Sequence, residues 1–396
     1  MMGYARYIGR VGGLAVALGI GAGLAATPWV ASAKPSDSGS PSSSSPAASS
    51  DSSTKKQPPG QNLSISKDGV VKVQKGTATA ISDEGSRAKA MGDGSVATAT
   101  GGVGNKATVK GDYSTAIAGG VVDGDPTANN NNTATVKGDN STAIAGSFGF
   151  GDPTANNNNN TATVRGNGSV AIASDGNNNT ATVTGDGDGN CGPNFCSLAG
   201  AGFGDNNTAT VTGHNSTAQA AEGNNNTVTV TGDNSSAGAG GGGGDNNTAT
   251  ITGDNSFAAI FLGSNNTATV TGDNSAALAR VGDNNTATVT GNGSIAAAGF
   301  GDNNTATVTG DGNGEGGSSR AIARDGDNNT ATITGDNSTA FARNGDSNTA
   351  TVTGNDSSAY AGGDAMVNGD SNTATVTGDG LVANAGPGPG ENVVVP

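Results

Sequence analysis

One seven-residue pattern, Asn-Thr-(Ala/Val)-Thr-(Val/Ile)-x-Gly, leaves this chain few folds to choose from, because it occurs twelve times. The copies begin at Thr133, Thr161, Thr180, Thr208, Thr227, Thr248, Thr267, Thr286, Thr305, Thr330, Thr349 and Thr373, and six of the eleven intervals are 19 residues. A fixed period of this size marks an array of units that each bury a face only against the next unit, with longer intervals as insertions.

Each unit holds two alternating patterns: Thr-Ala-Thr-Val-Thr, a Gly-Asp-Asn turn, Ser-x-Ala-x-Ala, and a second turn of Gly, Asp and Asn. Alternation with period two is the signature of a strand with one buried face. The fifth position of the first pattern accepts Lys110, Lys137 and Arg165, so the Thr face meets water and the Ala and Val positions face inward. In the second pattern the x positions accept Arg87, Lys89, Gln219, Arg320, Phe341 and Tyr360, which leaves Ser and the two Ala inward. The expected fold is all-β: an elongated parallel β-solenoid of about 19-residue, two-strand coils.

Hydrophobic residues make up 32% of the chain and aromatics 3%, too little for a conventional globular core. Apolar burial per coil is therefore smaller than the cost of ordering the coil. Hydrogen-bond ladders from coil to coil and residues disposed to turn must supply the difference. Of 33 acidic residues only Glu84, Glu222, Glu315 and Glu391 are Glu, so the charge sits mostly on Asp in turns. With a net charge of −15 and no basic cluster along the sequence, neither nucleic acid nor an anionic membrane is an expected partner.

Residues 1–33 read as a signal peptide: Arg6 and Arg10, an apolar stretch from Val11 to Ala26, and Ala31-Ser32-Ala33 as the cleavage site. The apolar run is too short, and too broken by Gly19, Gly21, Gly23 and Pro28, to span a bilayer, so no transmembrane segment is expected after cleavage. Residues 34–61 read as a disordered Ser/Pro-rich linker, 62–385 as the solenoid with irregular coils over 62–105, and 386–396 as a Gly/Pro tail. The irregular beginning is what an end cap requires.

Asn-x-Ala-x-Val-x-Gly followed by Asn-Ser-x-Ala-x-Ala is similar to curlin-type repeats, and Gly168-Ser169-Val170-Ala171-Ile172-Ala173 resembles the coils of trimeric-autotransporter adhesin heads. Both resemblances imply a parallel β-solenoid and an adhesive or fibrous role, although the ladder Gln of curlin repeats is missing here. Tyr4 to Gly19 resembles the leaders of mycobacterial and other actinobacterial secreted proteins. That resemblance implies export.

Cys191 and Cys196, the only cysteines, are expected to close a small disulfide loop in an exported chain. A metal or redox pair is the weaker reading, since four intervening residues do not make Cys-x-x-Cys. Asp186, Asp188 and Asn190, and again Asp311, Asn313 and Glu315, place oxygens at alternate positions as weak calcium loops do. Calcium is the one cofactor suggested, against the plainer reading of Asp-Gly alternation as turn chemistry. Outward Thr-x-Thr-x-Thr rows resemble the ice-binding face of antifreeze solenoids, or serve simply as solvent-facing strand residues. His214 is the sole histidine and has no sequence partner for a triad or a metal site. The sequence therefore leads to an exported, non-enzymatic structural or adhesive protein of the cell surface or matrix that associates with itself. The alternative is a calcium-dependent carbohydrate-binding or carbohydrate-active β-helix, with ice binding third.

Overall fold

In the computed structural model the described residues are 62–120, 129–147, 157–187, 196–312, 318–363 and 369–396. They form 32 strands and, among them, no helix. The first two strands lie in one sheet, here sheet A, and from Thr79 onward the strands alternate between sheet B and sheet A, giving 17 strands in A and 15 in B. Each coil runs one strand in A, turns, runs one strand in B, and turns back, so the chain is an elongated parallel β-solenoid. The leader and linker expected over 1–61 lie outside the described residues, as do Cys191, Asp188, Asn190, Asn313 and Glu315.

Pairing is in register, like over like. Thr161, Ala162, Thr163 and Val164 pair with Thr180, Ala181, Thr182 and Val183 in sheet A. Ala171 and Ala173 pair with Ala143 and Ala145 in sheet B. The inward faces are the expected ones: Val136, Val183, Val270 and Val352 stack in one fully buried column, with Ala on either side and Ala from sheet B opposite. Outward positions hold Thr in sheet A and varied residues in sheet B. Ile144 and Ile172 depart from this rule. They stand at outward positions yet are buried, because Ile117, Ile144 and Ile172 stack in register and pack with Val170, Cys196 and Leu198.

Four polar ladders run along the solenoid, and they give each residue of the repeated turns a distinct task. In Gly-(Asp/Ser)-Asn-Asn-Thr the second Asn is buried: the Asn266 Oδ1 accepts the Asn285 backbone N–H at 2.7 Å, and its Nδ2 donates to the Gly282 carbonyl at 2.9 Å. In Gly-Asp-Asn-Ser the Ser is buried: the Ser256 Oγ accepts from the Ser275 N–H, and the Ser275 hydroxyl donates to Gly291 O at 2.8 Å. Aspartates at the same turns form two outer ladders, as where Asp254 N–H donates to Asp273 Oδ1 and Asp283 N–H to Asp302 Oδ1, both at 2.8 Å. The Asn between takes a left-handed φ, 53° at Asn234 and 58° at Asn246, which Asn tolerates better than most residues. Turn glycines make close approach possible. A Cβ on Gly138, whose φ is +151°, would sit 1.9 Å from the Gly166 carbonyl oxygen.

Both ends depart from the repeat. Strand β1 (Leu63–Lys67) runs antiparallel to β2 (Val70–Lys75) and also to Arg87–Met91, the first parallel strand of sheet A. Ser64 and Ser66 point inward from β1, and Ser64 donates to the Gln74 Oε1, so the end of the core is closed by polar groups. Lys72 and Lys75 on the outermost strand discourage further pairing. At the other end the solenoid does not stop at Ala385. Residues Asn392–Val395, read from sequence as tail, form the last strand of sheet A, parallel to Thr373–Thr377. The spacing from Thr373 to Asn392 is again one period, 392 − 373 = 19, and Val393 and Val395 pack on the core while Val394 faces out. Glu391 takes the place of the ladder Asn, its N–H donating to Asn372 Oδ1.

Candidate functional site

The candidate surfaces are the outward rows of the two sheets and the two turn edges, since the interior is filled. On sheet A the Thr rows are regular from Thr180 onward, with hydroxyls about 4.8 Å apart between coils and about 6.8 Å apart along a strand. Before that point the same positions carry Lys106, Lys110, Lys137 and Arg165, and also Arg87 and Lys89, which the sequence pattern assigned to the second strand but which lie in sheet A in register with Lys106 and Thr108. Lys110 stacks on Lys137 and Lys137 on Arg165, and Arg87 on Lys106. A basic patch therefore exists, contrary to the reading of the sequence as having no basic cluster. Its members are dispersed along the chain and only the coil register brings them together. For Lys110, Lys137 and Arg165 the signal was their shared fifth-position slot; Arg87 and Lys106 share the first position instead.

Asp186 and Asp311, the described members of the two calcium candidates, both belong to the outer ladder of the first turn. Their Oδ1 atoms accept from the backbone N–H of Asn167 at 2.6 Å and of Asn292 at 2.7 Å. One oxygen of each is thus engaged in coil stacking, which gives Asp at these positions a structural reason. Among the described residues no three His, Cys, Asp or Glu side chains converge as a metal site. His214 occupies the same ladder: its Nδ1 lies 3.2 Å from the Asp186 backbone nitrogen, and its own N–H donates to Asp233 Oδ1 at 2.8 Å. The same Nδ1 lies 3.2 Å from the Asp186 carbonyl oxygen, so the ring can accept from the one or donate to the other according to its tautomer, and in either case it stands where an Asx side chain stands in the other coils. Cys196 is buried beside Leu198 and Ile172.

Sheet B concentrates the unusual chemistry. Phe341 and Tyr360 pair edge to face at 5.5 Å, and the Arg320 and Arg343 guanidinium groups lie 5.7 and 5.2 Å from the Phe341 ring centre. Cation–π contact of this kind holds a guanidinium in place while leaving its donors free. Phe341, Arg343, Tyr360, Gly362, Asn384 and Pro387 border an open groove of about 290 Å³. The sequence offered Arg320, Phe341 and Tyr360 only as marks of an outward face. Phe341 and Tyr360 align in one column with Ile322 by pairing in register, while Arg320 stands in the neighbouring column opposite Thr339.

Near the first coils Tyr113 donates to Asp93, and that carboxylate's charge raises the phenol above its usual pKa. No helix among the described residues is long and apolar enough to cross a membrane. No protein-family model and no curated protein matches the chain.

Proposed function

We propose that this is an exported structural or adhesive protein of the cell surface or extracellular matrix, acting by presenting repeated side-chain rows rather than by catalysis, and associating with itself. The observation that carries the reading is the uniformity of the outward Thr rows of sheet A, identical over the coils from Thr180 to Thr377. A rod that repeats one surface element at a fixed spacing is suited to multivalent contact, in which weak single contacts add through proximity. The leader-like start supports export. Fractionation of native cells tests it: the protein is expected in the envelope or medium, and a cytosolic pool of full-length chain refutes the reading.

Carbohydrate binding is the second reading, favoured by the groove beside Phe341, Arg343 and Tyr360, where aromatic faces and a free guanidinium suit a sugar ring bearing an acidic group. Loss of glycan retention on Tyr360→Ser, with calcium present and absent, separates it from the first.

A further inference from the structure

One column of the solenoid breaks two rules at once. From Asp175 to Asn344 the residue just after each sheet B strand turns the corner with a left-handed φ, and in five of these nine coils it is glycine or polar: Asp175, Glu222, Gly242, Asp325 and Asn344, with Phe203 an isolated exception. In three consecutive coils it is instead Leu262, Val281 and Phe300, with φ of 57°, 48° and 55°. A β-branched or bulky side chain at such φ is strained. These three are also 38, 38 and 48% exposed, and Phe261 beside them is 46% exposed. Strain and exposure together give the folded monomer nothing. Contiguous exposed apolar side chains mark an interaction surface.

We propose that this ridge is the contact between two antiparallel copies of the chain, related by a two-fold axis through Val281. The partner is inferred from the sequence of the column itself. Corner residues are in register through backbone bonds such as Val281 N–H to Phe261 O and Phe300 N–H to Arg280 O, so each coil is one step of about 4.8 Å along the ridge. Counting equal steps to either side of Val281 sets Leu262 against the second copy's Phe300. Two steps out, Gly242 lies opposite the second copy's Asp325, which is held by Arg324 at 3.1 Å. Gly242 has a φ of +93°, which favours glycine, and a Cβ there would press on Leu262 Cδ2 at 2.3 Å.

Three steps out, Glu222 meets the coil of the second copy's Arg343. Glu222 spends one oxygen on the Gly242 N–H, and neither it nor Arg343 has an ion-pair partner among the described residues of its own chain. Four steps out, exposed Phe203 faces the second copy's Gly362 and Gly363, a bulge against a surface with no side chain. A parallel pairing about the same ridge would instead set Glu222 against Glu222 and Asp325 against Asp325. Eight steps of ridge, about 38 Å long and about 15 Å wide, bury roughly 1,100 Å² over both copies, just above what a specific interface needs.

The inference deepens the self-association proposed above and rests on it. Its test uses the full chain in sedimentation equilibrium with parallel thermal melts. Val281→Asn with Phe300→Asn installs a residue already present in this column at Asn344 and suited to left-handed φ. The expected result is a dimer that the double Asn variant weakens at least tenfold while the Tm, measured at a concentration where both chains are monomeric, stays equal or rises; a fall in the monomer's Tm would instead give the ridge a packing role and overturn the proposal. Glu222→Lys and Arg343→Glu are each expected to weaken the dimer at least tenfold, and the combined swap to restore it. Assembly untouched by the ridge variants, or a swap that fails to restore, overturns the antiparallel ridge alone. A chain that stays monomeric at tens of micromolar overturns self-association as well.

Discussion

If the buried ladders rather than the thin apolar core hold the coils together, two asparagines in equivalent places must differ in what they contribute, and the structure says by how much. Asn266 is fully buried and makes both ladder bonds, to the Asn285 N–H and to the Gly282 carbonyl. Asn304 is equally buried and accepts from the Asn329 N–H, but its Nδ2 has no hydrogen-bond partner. Asn266→Ala orphans a buried N–H, at about 1 to 3 kcal/mol, and a half-buried carbonyl, at about 1 kcal/mol, for a total of about 2 to 4 kcal/mol. Asn304→Ala orphans only the N–H and also removes an unsatisfied amide, so it costs about 1 to 2 kcal/mol less. The two substitutions remove the same atoms and leave similar cavities, so the packing contributions largely cancel in the comparison. Urea unfolding of the two variants at unchanged m-value, with hydrogen exchange of the mutated and adjacent coils, measures the difference. Equal losses would show that the cavity, not the ladder, sets the stability of a coil.

Other expectations follow from the same geometry. Ala143→Leu places a larger side chain in a filled core and is expected to destabilise by about 1 to 3 kcal/mol, whereas Thr142→Leu on the outer face leaves Tm nearly unchanged; equal shifts refute the face assignment. Deleting 379–396 removes Val393 and Val395 from the end of the core and uncovers the Thr373–Thr377 edge, so light scattering is expected to show faster aggregation than for the intact chain; an unchanged rate removes the capping role of the last strand. Asp93→Asn is expected to lower the pKa of Tyr113 toward the usual tyrosine value, followed by NMR of the ring; an unmoved titration excludes Asp93 as its cause.

How much could be read from the chain depended on whether a residue's role repeats. The Val column, the inward Ser and Ala, and the Asp-rich turns occur in nearly every coil, so comparison of coils within one sequence assigned their faces before any coordinates. Asn392 to Val395 escaped because Pro387 and Pro389 suggested a tail, and only the 19-residue step from Thr373 shows that the strand period continues through them. The basic patch escaped for another reason: Lys110, Lys137 and Arg165 share a slot, but 28 residues separate Lys137 from Arg165 along the chain, even though the two are neighbours in the sheet. Insertions lengthen the sequence distance without lengthening the distance in space. The corner ridge is hidden more deeply, because its slot varies from coil to coil and nothing in Leu262, Val281 or Phe300 announces a left-handed φ. A residue that repeats reports what the solenoid needs in order to stand; Leu262, Val281 and Phe300 occupy a slot where the solenoid accepts Asp or Asn without strain, and so their apolar character has to answer to something outside the coil.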